Sequence, residues 1–267
     1  MNIFSNTLYK LVTEELNPVS YSLINDADLT KLNLLIGKTL KFEFGGQINC
    51  IYCKREINKS YGQGFCYACY HTLPQAAPSV MRPELDLSHK GISRNMEWAK
   101  ENSLVDHFVY LAVSSSLKVG ITRHSQIPTR WVDQGASQAI KIAKVPYRQL
   151  SGLIEVELKK NFADKTNWRK MLSDNKHTSI DLKAERDKAH LLLKKDFSEY
   201  LIDDEITYIS YPVEKYPDKV NSISFDKTPS FEAKLVGIKG QYLIFDTNQV
   251  LNIRKHSGYH VQISLLD

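Results

Sequence analysis

The sequence has no apolar run near the ~18 residues that a membrane-spanning helix needs. Its N-terminal segment, MNIFSNTLYKLVTEELNPVS, carries acidic side chains and lacks the basic start and apolar core of a secretion signal. Internal repeats and low-complexity segments are also missing. We therefore expect no membrane partner and a cytoplasmic location.

A strong excess of one charge is likewise missing. The 267 residues contain 35 Lys and Arg against 30 Asp and Glu, which gives a net charge of +5. The lysines recur along the whole chain and do not form a tail. This mild basic balance permits a nucleic-acid partner without requiring one.

Cysteine occurs only four times, and all four lie in the segment CIYCKREINKSYGQGFCYAC. The pattern is C-x2-C-x12-C-x2-C, formed by Cys50, Cys53, Cys66 and Cys69. Each C-x2-C pair can form a tight turn, or knuckle, that presents two sulfurs to one ion. Two knuckles together give that ion a tetrahedral shell of four thiolates, which suits Zn2+. A closed four-thiolate shell has no open position, so the pattern predicts a structural zinc ribbon. Four unrelated thiols, or a redox pair, are the alternatives.

A second informative stretch follows the cysteines. HFVYLAVS and LKVGITR each read as a short apolar strand, and Pro128 suits the first turn of a helix. AIKIAKVPY reads as another strand. In GLIEVELKKNF, Ile154, Leu158 and Phe162 recur at helical spacing and predict one buried stripe. The order is strand pair, helix, strand, helix.

Four residues of this stretch, Tyr110, Gly120, Arg130 and Glu155, occur in an order that resembles the GIY-YIG nuclease superfamily over roughly residues 107–172. Phe108-Val109-Tyr110 stands at the first motif, and Lys118-Val119-Gly120 at the second. Arg130 takes the place of the helix arginine. The chain as a whole also resembles a bacterial family that joins a four-cysteine module to such a core.

The resemblance implies hydrolysis of phosphodiesters. Glu155, seven residues before Phe162, would hold Mg2+ or Mn2+, and Arg130 would clamp the phosphate. Tyr110 would relay a proton from the attacking water. The sequence departs from the motifs at Phe108, where Gly is usual, and at Lys118, where Tyr is usual; Lys118 would orient a phosphate instead.

Each of these residues also has a structural interpretation. Tyr110 can pack its ring in a strand, and Gly120 can permit a close backbone approach. The remaining alternatives are ion pairs, namely Arg130 with Asp133 or Glu157, and Glu155 with Lys159.

Further basic residues are candidates for nucleic-acid contacts, although a solvated surface is the simpler interpretation of any one of them. They are Arg123, His124, Arg148 and Lys165. Arg148 follows Tyr147, and such an aromatic–basic pair can stack on a base.

The sequence therefore predicts an α+β fold in four regions. Region 1–45 holds a helix, near Leu8 to Leu16, and a strand, and region 46–92 holds the zinc ribbon and a connector. Region 93–203 is a GIY-YIG-like core, which is a small mixed sheet with flanking helices, followed by a helical extension. Region 204–267 is a β-rich, barrel-like domain. Two functions follow as hypotheses. The first is a zinc-containing DNA- or RNA-binding protein that acts as a metal-dependent endonuclease. The second is a non-catalytic nucleic-acid-binding or protein-interaction adaptor, docking through the ribbon or the barrel.

Overall fold

A computed structural model describes residues 1–26, 28–173 and 180–266. Contacts divide these described residues into two compact units. The first unit comprises the described parts of Met1–Tyr70, Arg169–Asn175 and Ile209–Asp267, and the second those of His71–Trp168 and Lys176–Tyr208. The mixed α+β class predicted from the sequence is confirmed.

Strands supply most of the first unit and helices most of the connections in the second. The strands are β1 (Asn2–Thr7), β2 (Val12–Glu14), β3 (Ser20–Asn25), β4 (Asp28–Lys31), β5 (Thr39–Ile48), β6 (His107–Val113), β7 (Leu117–Arg123), β8 (Gln138–Val145), β9 (Thr207–Tyr208), β10 (Asn221–Ile223), β11 (Ser230–Lys239), β12 (Tyr242–Phe245), β13 (Gln249–Asn252) and β14 (Tyr259–Leu265). The helices are α1 (Tyr67–Thr72), α2 (Pro78–Met81), α3 (Met96–Asn102), α4 (Thr129–Asp133), α5 (Arg148–Leu158), α6 (Trp168–Met171) and α7 (Leu182–Phe197).

The first unit is built on a seven-stranded sheet in the order β1-β14-β5-β11-β12-β13-β10, beside a three-stranded sheet of β2, β3 and β4. Side chains of β5 alternate in burial, because Leu40 and Phe42 are buried and the intervening Lys41 is not. The Phe42 ring stacks on Phe231 of β11, with ring centroids 4.8 Å apart.

The predicted C-terminal barrel is wrong. Within the described residues the large sheet stays open, with β1 and β10 as its two edges. β14 pairs with β1 and β5, and β11 pairs with β5, so N-terminal strands take the hydrogen bonds that barrel closure would need. Alternating apolar residues occur in open and closed sheets alike, so the pattern alone did not distinguish them.

The predicted N-terminal helix is also replaced by a strand, β2. Leu8 and Leu11 are fully buried, at a spacing that fits a helical face. Their amides, however, bind distant partners: the Leu8 N–H donates to the Tyr259 carbonyl at 2.8 Å, and the Leu11 N–H to the Gln241 side chain at 2.8 Å. Long-range hydrogen bonds therefore hold this segment in an extended conformation.

The second unit contains a four-stranded sheet in the order β7-β6-β8-β9, with β6 antiparallel to both β7 and β8. The strand pair predicted from the sequence is thus confirmed. Val109 and Leu111 of β6 belong to one buried core with Ile154 and Leu158 of α5. Phe162 joins that core, but α5 ends at Leu158, so Phe162 reaches it from the following loop.

Successive side chains of a strand point to opposite faces. Since Val109, Leu111 and Val119 face the core of the second unit, Tyr110 and Lys118 point to the other face of the sheet. The loop after α5 is hydrogen-bonded to β7, because the Val119 N–H donates to the Ala163 carbonyl at 2.8 Å. In the described part of the chain, no helix combines the length and apolar character that crossing a bilayer requires.

Candidate functional site

The four cysteines predicted to bind zinc come together in the first unit. Their sulfur atoms all lie within 4.8 Å of one another, and the Sγ atoms of Cys53 and Cys66 are 3.8 Å apart. A tetrahedral Zn2+ with Zn–S bonds of about 2.3 Å requires sulfurs about 3.8 Å apart. The arrangement therefore fits one zinc ion held by Cys50, Cys53, Cys66 and Cys69.

Backbone amides support the first cysteine pair. Burial disfavours the Cys50 thiolate, but backbone N–H groups of Tyr52, Cys53 and Cys66 outweigh burial and lower its pKa to about 6. Burial and the neighbouring sulfurs raise the pKa of Cys69 to about 12. Four thiolates this close repel one another, so a bound cation is what allows all four to stay ionised together.

A second group of chemically active side chains lies in the second unit. We call it the polar cluster. Its members are Tyr110 on β6, Lys118 on β7, Arg130 on α4, Gln134 just after α4, and Glu155 on α5. The charges of Arg130 and Glu155 act on both Tyr110 and Lys118. The structure thus groups the sequence-predicted residues, together with Gly120, which lies directly opposite Tyr110.

Tyr110 is fully buried at the centre of this group. Its hydroxyl donates to Gln134 Oε1 at 2.9 Å, and its ring packs edge-on against Trp131, with centroids 5.9 Å apart. Burial raises the pKa of Tyr110, against the nearby positive charge of Arg130, which acts to lower it. A phenol held neutral and already donating is a poor proton acceptor.

Lys118 is almost as deeply buried, with 3% of its surface exposed. Burial lowers its pKa to about 8, and the neighbouring Arg130 adds to this effect, whereas Glu155 and Asp164 oppose it. At pH 7, Lys118 is therefore mostly an ammonium, with about a tenth of the molecules carrying the free amine.

Glu155 is 9% exposed, and burial raises its pKa. Its Oε2 lies 3.2 Å from the Lys159 ammonium, which is also 3.5 Å from Asp164 Oδ2. The ion pair with Lys159 that the sequence left open is thus present. One of the two partners considered for Arg130, Glu157, instead pairs with Lys160 at 2.6 Å.

The remaining residues predicted to contact nucleic acid occur in different settings. Arg148 donates to the carbonyls of Ser79 and Val80, and its Nε lies 3.9 Å from Asp86 Oδ2. Arg123 ends β7, and its buried Nε has no hydrogen-bond partner among the described residues. The other two predicted residues are exposed, namely His124 and Lys165.

Sequence reasoning missed three neighbours of the predicted residues. Gln134 accepts the Tyr110 hydroxyl, Trp131 packs on the Tyr110 ring, and Asp164 shares Lys159 with Glu155. Gln134 lies four residues after Arg130, one helical turn further on, and this spacing was the available signal. Nothing local pointed to Asp164, because its place depends on how the loop after α5 meets β7.

His107 is a buried titratable group beside this region. It pairs across the sheet with Arg123, its Nδ1 lies 2.7 Å from the Val105 carbonyl, and its Nε2 has no hydrogen-bond partner within the described residues. Burial lowers the pKa of His107 to about 4, and the charges of Arg148 and Arg123 contribute.

We expect this histidine to make the second unit acid-sensitive. The folded-state pKa is below the unfolded value near 6.5, so the unfolded state binds the proton first and stability falls from pH 6.5 to about 4. The loss attributable to His107 reaches about 3 kcal/mol at the acid end. Urea unfolding at pH 7 and pH 4.5 measures it: the free-energy gap between wild type and His107→Leu should shrink or reverse at pH 4.5. An identical gap at both pH values contradicts the prediction.

Together these features define an α+β protein with a four-cysteine metal-binding module. The chain belongs to the family described as "Protein of unknown function (DUF2797)", which matches residues 37–261. This match corrects the resemblance to the GIY-YIG superfamily, since no GIY-YIG family matches the chain. The short motifs around Tyr110 and Gly120 were insufficient to define membership. No curated protein and no solved structure shows significant similarity to the chain.

Proposed function

We propose that this protein is a zinc-containing nucleic-acid-binding protein that holds a phosphodiester at the polar cluster. The observation that supports the proposal is the grouping of Lys118, Arg130 and Glu155, which come from three separate elements of the second unit. The proposal rests on the chemistry of these residues and on no family relationship.

The charge of the cluster favours an anionic ligand. Lys118 and Arg130 supply two positive charges, while the single carboxylate of the cluster, Glu155, is already paired with Lys159. Arg130 carries a planar fork of donors that matches two phosphate oxygens. Because Lys118 is nearly removed from water, its attraction for a phosphate is screened less than that of a surface lysine.

Hydrolysis of the bound phosphodiester is a second candidate function, favoured by the buried carboxylate beside these cations. In such a reaction Arg130 holds the phosphate, and the free-amine form of Lys118 accepts the proton of the attacking water. Tyr110 instead helps to position Arg130, because its hydroxyl donates to Gln134 at the end of α4, the helix that carries Arg130.

Glu155 and Asp164 offer hard oxygen donors for Mg2+ or Mn2+. Their shared partner is the Lys159 ammonium, so binding of the ion requires Lys159 to move away. Bound there, the ion would neutralise charge on the leaving oxygen.

Binding is tested by fluorescence anisotropy with labelled single- and double-stranded DNA and RNA at several salt concentrations. Arg130→Ala should weaken the affinity about 10-fold and reduce the slope of log K against log salt by about 1. Arg130→Lys should show a smaller loss, because it keeps the charge and loses the fork. The matched control is Lys100→Ala, which removes an exposed lysine of α3 that pairs with Glu97. Equal affinities for all four proteins would refute the proposed site.

Cleavage is tested by incubating the same nucleic acids with Mg2+ or Mn2+ and with a chelator. Glu155→Gln should abolish metal-dependent cleavage and leave binding within a few-fold of wild type. Cleavage that persists in Glu155→Gln would remove the catalytic assignment. Binding without any cleavage supports the non-catalytic alternative, and failure to bind nucleic acid at low salt supports a protein-interaction adaptor.

A further inference from the structure

Lys118 combines deep burial with a lack of partners. It is 3% exposed, and within residues 1–26, 28–173 and 180–266 its ammonium has no hydrogen bond and no salt bridge. Lys118 Nζ is not among the fully buried polar atoms that lack a partner, so the stem is buried while the nitrogen keeps contact with solvent. An amine that is held by a buried stem and is still accessible at its tip is placed to react with a small group that enters the cluster.

The surroundings of Lys118 are those of an activated amine. Its strand position is fixed on both sides, by pairing with Ala112 of β6 and by the bridge to Ala163. Arg130 is a neighbouring cation, and burial next to a second cation is a recognised way to keep a lysine amine free for nucleophilic attack. Amines of this kind attack carbonyl carbons.

We infer that Lys118 forms an imine with a carbonyl group carried next to a phosphate ester, and the inference rests on the phosphate binding proposed above. Arg130 would hold the phosphate while the Lys118 amine meets the carbonyl carbon. A carbonyl group next to a phosphate ester is present in two kinds of molecule. One is a nucleic acid with an abasic site, whose sugar carries an aldehyde, and the other is a free sugar phosphate in its open-chain form. A strand that binds through its phosphates brings the first of these to the cluster.

The steps balance without an oxidant or a reductant. The Lys118 nitrogen adds to the carbonyl carbon, the resulting carbinolamine loses one water, and a C=N bond replaces the C=O bond. At an abasic site, the Glu155 carboxylate can then take a proton from the carbon next to the imine. The electron pair of that C–H bond forms a C=C bond, and the adjacent C–O bond breaks with its electrons leaving on the phosphate. Water hydrolyses the imine and restores the amine.

Borohydride trapping tests the inference, because reduction turns an imine into a stable secondary amine. Wild-type protein is incubated with sodium borohydride and an oligonucleotide that carries one abasic site, an intact oligonucleotide of the same sequence, or ribose 5-phosphate. We expect a covalent adduct with the abasic strand, none with the intact strand, and peptide mass mapping of the adduct to Lys118. Strand cleavage at the abasic site should persist in a chelator, which separates it from the metal-dependent hydrolysis proposed above.

Two substitutions complete the design. Lys118→Arg keeps the charge and removes the nucleophilic amine, so its adduct yield should fall at least 100-fold. Lys100→Arg changes an exposed lysine of α3 and should leave the yield unchanged. Mapping on the wild-type protein makes the result independent of whether Lys118→Arg folds.

The outcomes separate the inference from the function on which it rests. No adduct with either carbonyl probe, or an adduct mapped to another lysine, overturns the inference even if intact strands bind. An adduct with ribose 5-phosphate but not with the abasic strand assigns the amine to small sugar phosphates. If the protein binds no nucleic-acid strand but forms the adduct with ribose 5-phosphate, the nucleic-acid function is wrong and the assignment of Lys118 as a reactive amine stands.

Discussion

Replacing Cys66 with serine should remove the zinc and unfold the cysteine module. Cys66 Sγ lies 3.8 Å from Cys53 Sγ and accepts the Cys69 amide at 3.4 Å, so its loss opens the metal shell and breaks a contact within the second knuckle. Structural zinc sites contribute apparent binding free energies of about 10–16 kcal/mol, and most of this contribution is expected to be lost.

The module has little other structure to keep it folded. Between β5 and α1 the described backbone forms only isolated bridges, Asn49 with Glu56 and Tyr61 with Phe65, and single hydrogen bonds such as that from the Ile51 N–H to the Gly64 carbonyl at 2.9 Å. A segment this short cannot bury enough apolar surface to hold its conformation without the ion.

The measurements are zinc content per chain and limited proteolysis of residues 50–70. Wild type should contain about one zinc per chain, and Cys66→Ser close to none, with rapid cleavage inside the module. His71→Ala is the matched control, because it alters a nearby histidine outside the four-cysteine set and should retain the zinc. A Cys66→Ser protein with wild-type zinc content and protease resistance would contradict the assignment.

The second large effect is expected from Gly120→Ala. A methyl group at this position would lie 2.6 Å from the Tyr110 hydroxyl oxygen and 2.7 Å from its Cζ. The ring cannot easily move away, because Tyr110 is fully buried and packs against Trp131. Such overpacking costs about 1–3 kcal/mol, and the forced shift of the ring should also disrupt the hydrogen bond to Gln134.

All three tryptophans, at positions 98, 131 and 168, belong to the second unit, so tryptophan fluorescence during urea unfolding reports that unit. Gly120→Ala should lower the unfolding midpoint and weaken nucleic-acid binding together. Tyr110→Phe, in the same unit, removes only the hydroxyl and should cost about 1–2 kcal/mol. A Gly120→Ala protein with the unfolding midpoint of wild type would show that the ring is free to move.

Local patterns predicted much of the second unit. Short apolar runs identified β6, β7 and β8, the proline at 128 marked the start of α4, and the apolar spacing of Ile154 and Leu158 identified α5. These predictions succeeded because each depends on neighbouring residues that form one element. The helix expected near Leu8 failed because partners more than two hundred residues away, Gln241 and Tyr259, decide the conformation of that segment.

The sequence by itself determined the metal-binding module, because the spacing of Cys50, Cys53, Cys66 and Cys69 brings the sulfurs into two adjacent pairs whatever the rest of the chain does. Only the tertiary structure decided that β1 and β5 join the C-terminal strands in one open sheet, and that the side chain of Lys118 is buried next to Arg130 and Glu155. Strand order and burial depend on contacts between segments far apart in the chain, and such contacts leave no trace in the spacing of neighbouring residues.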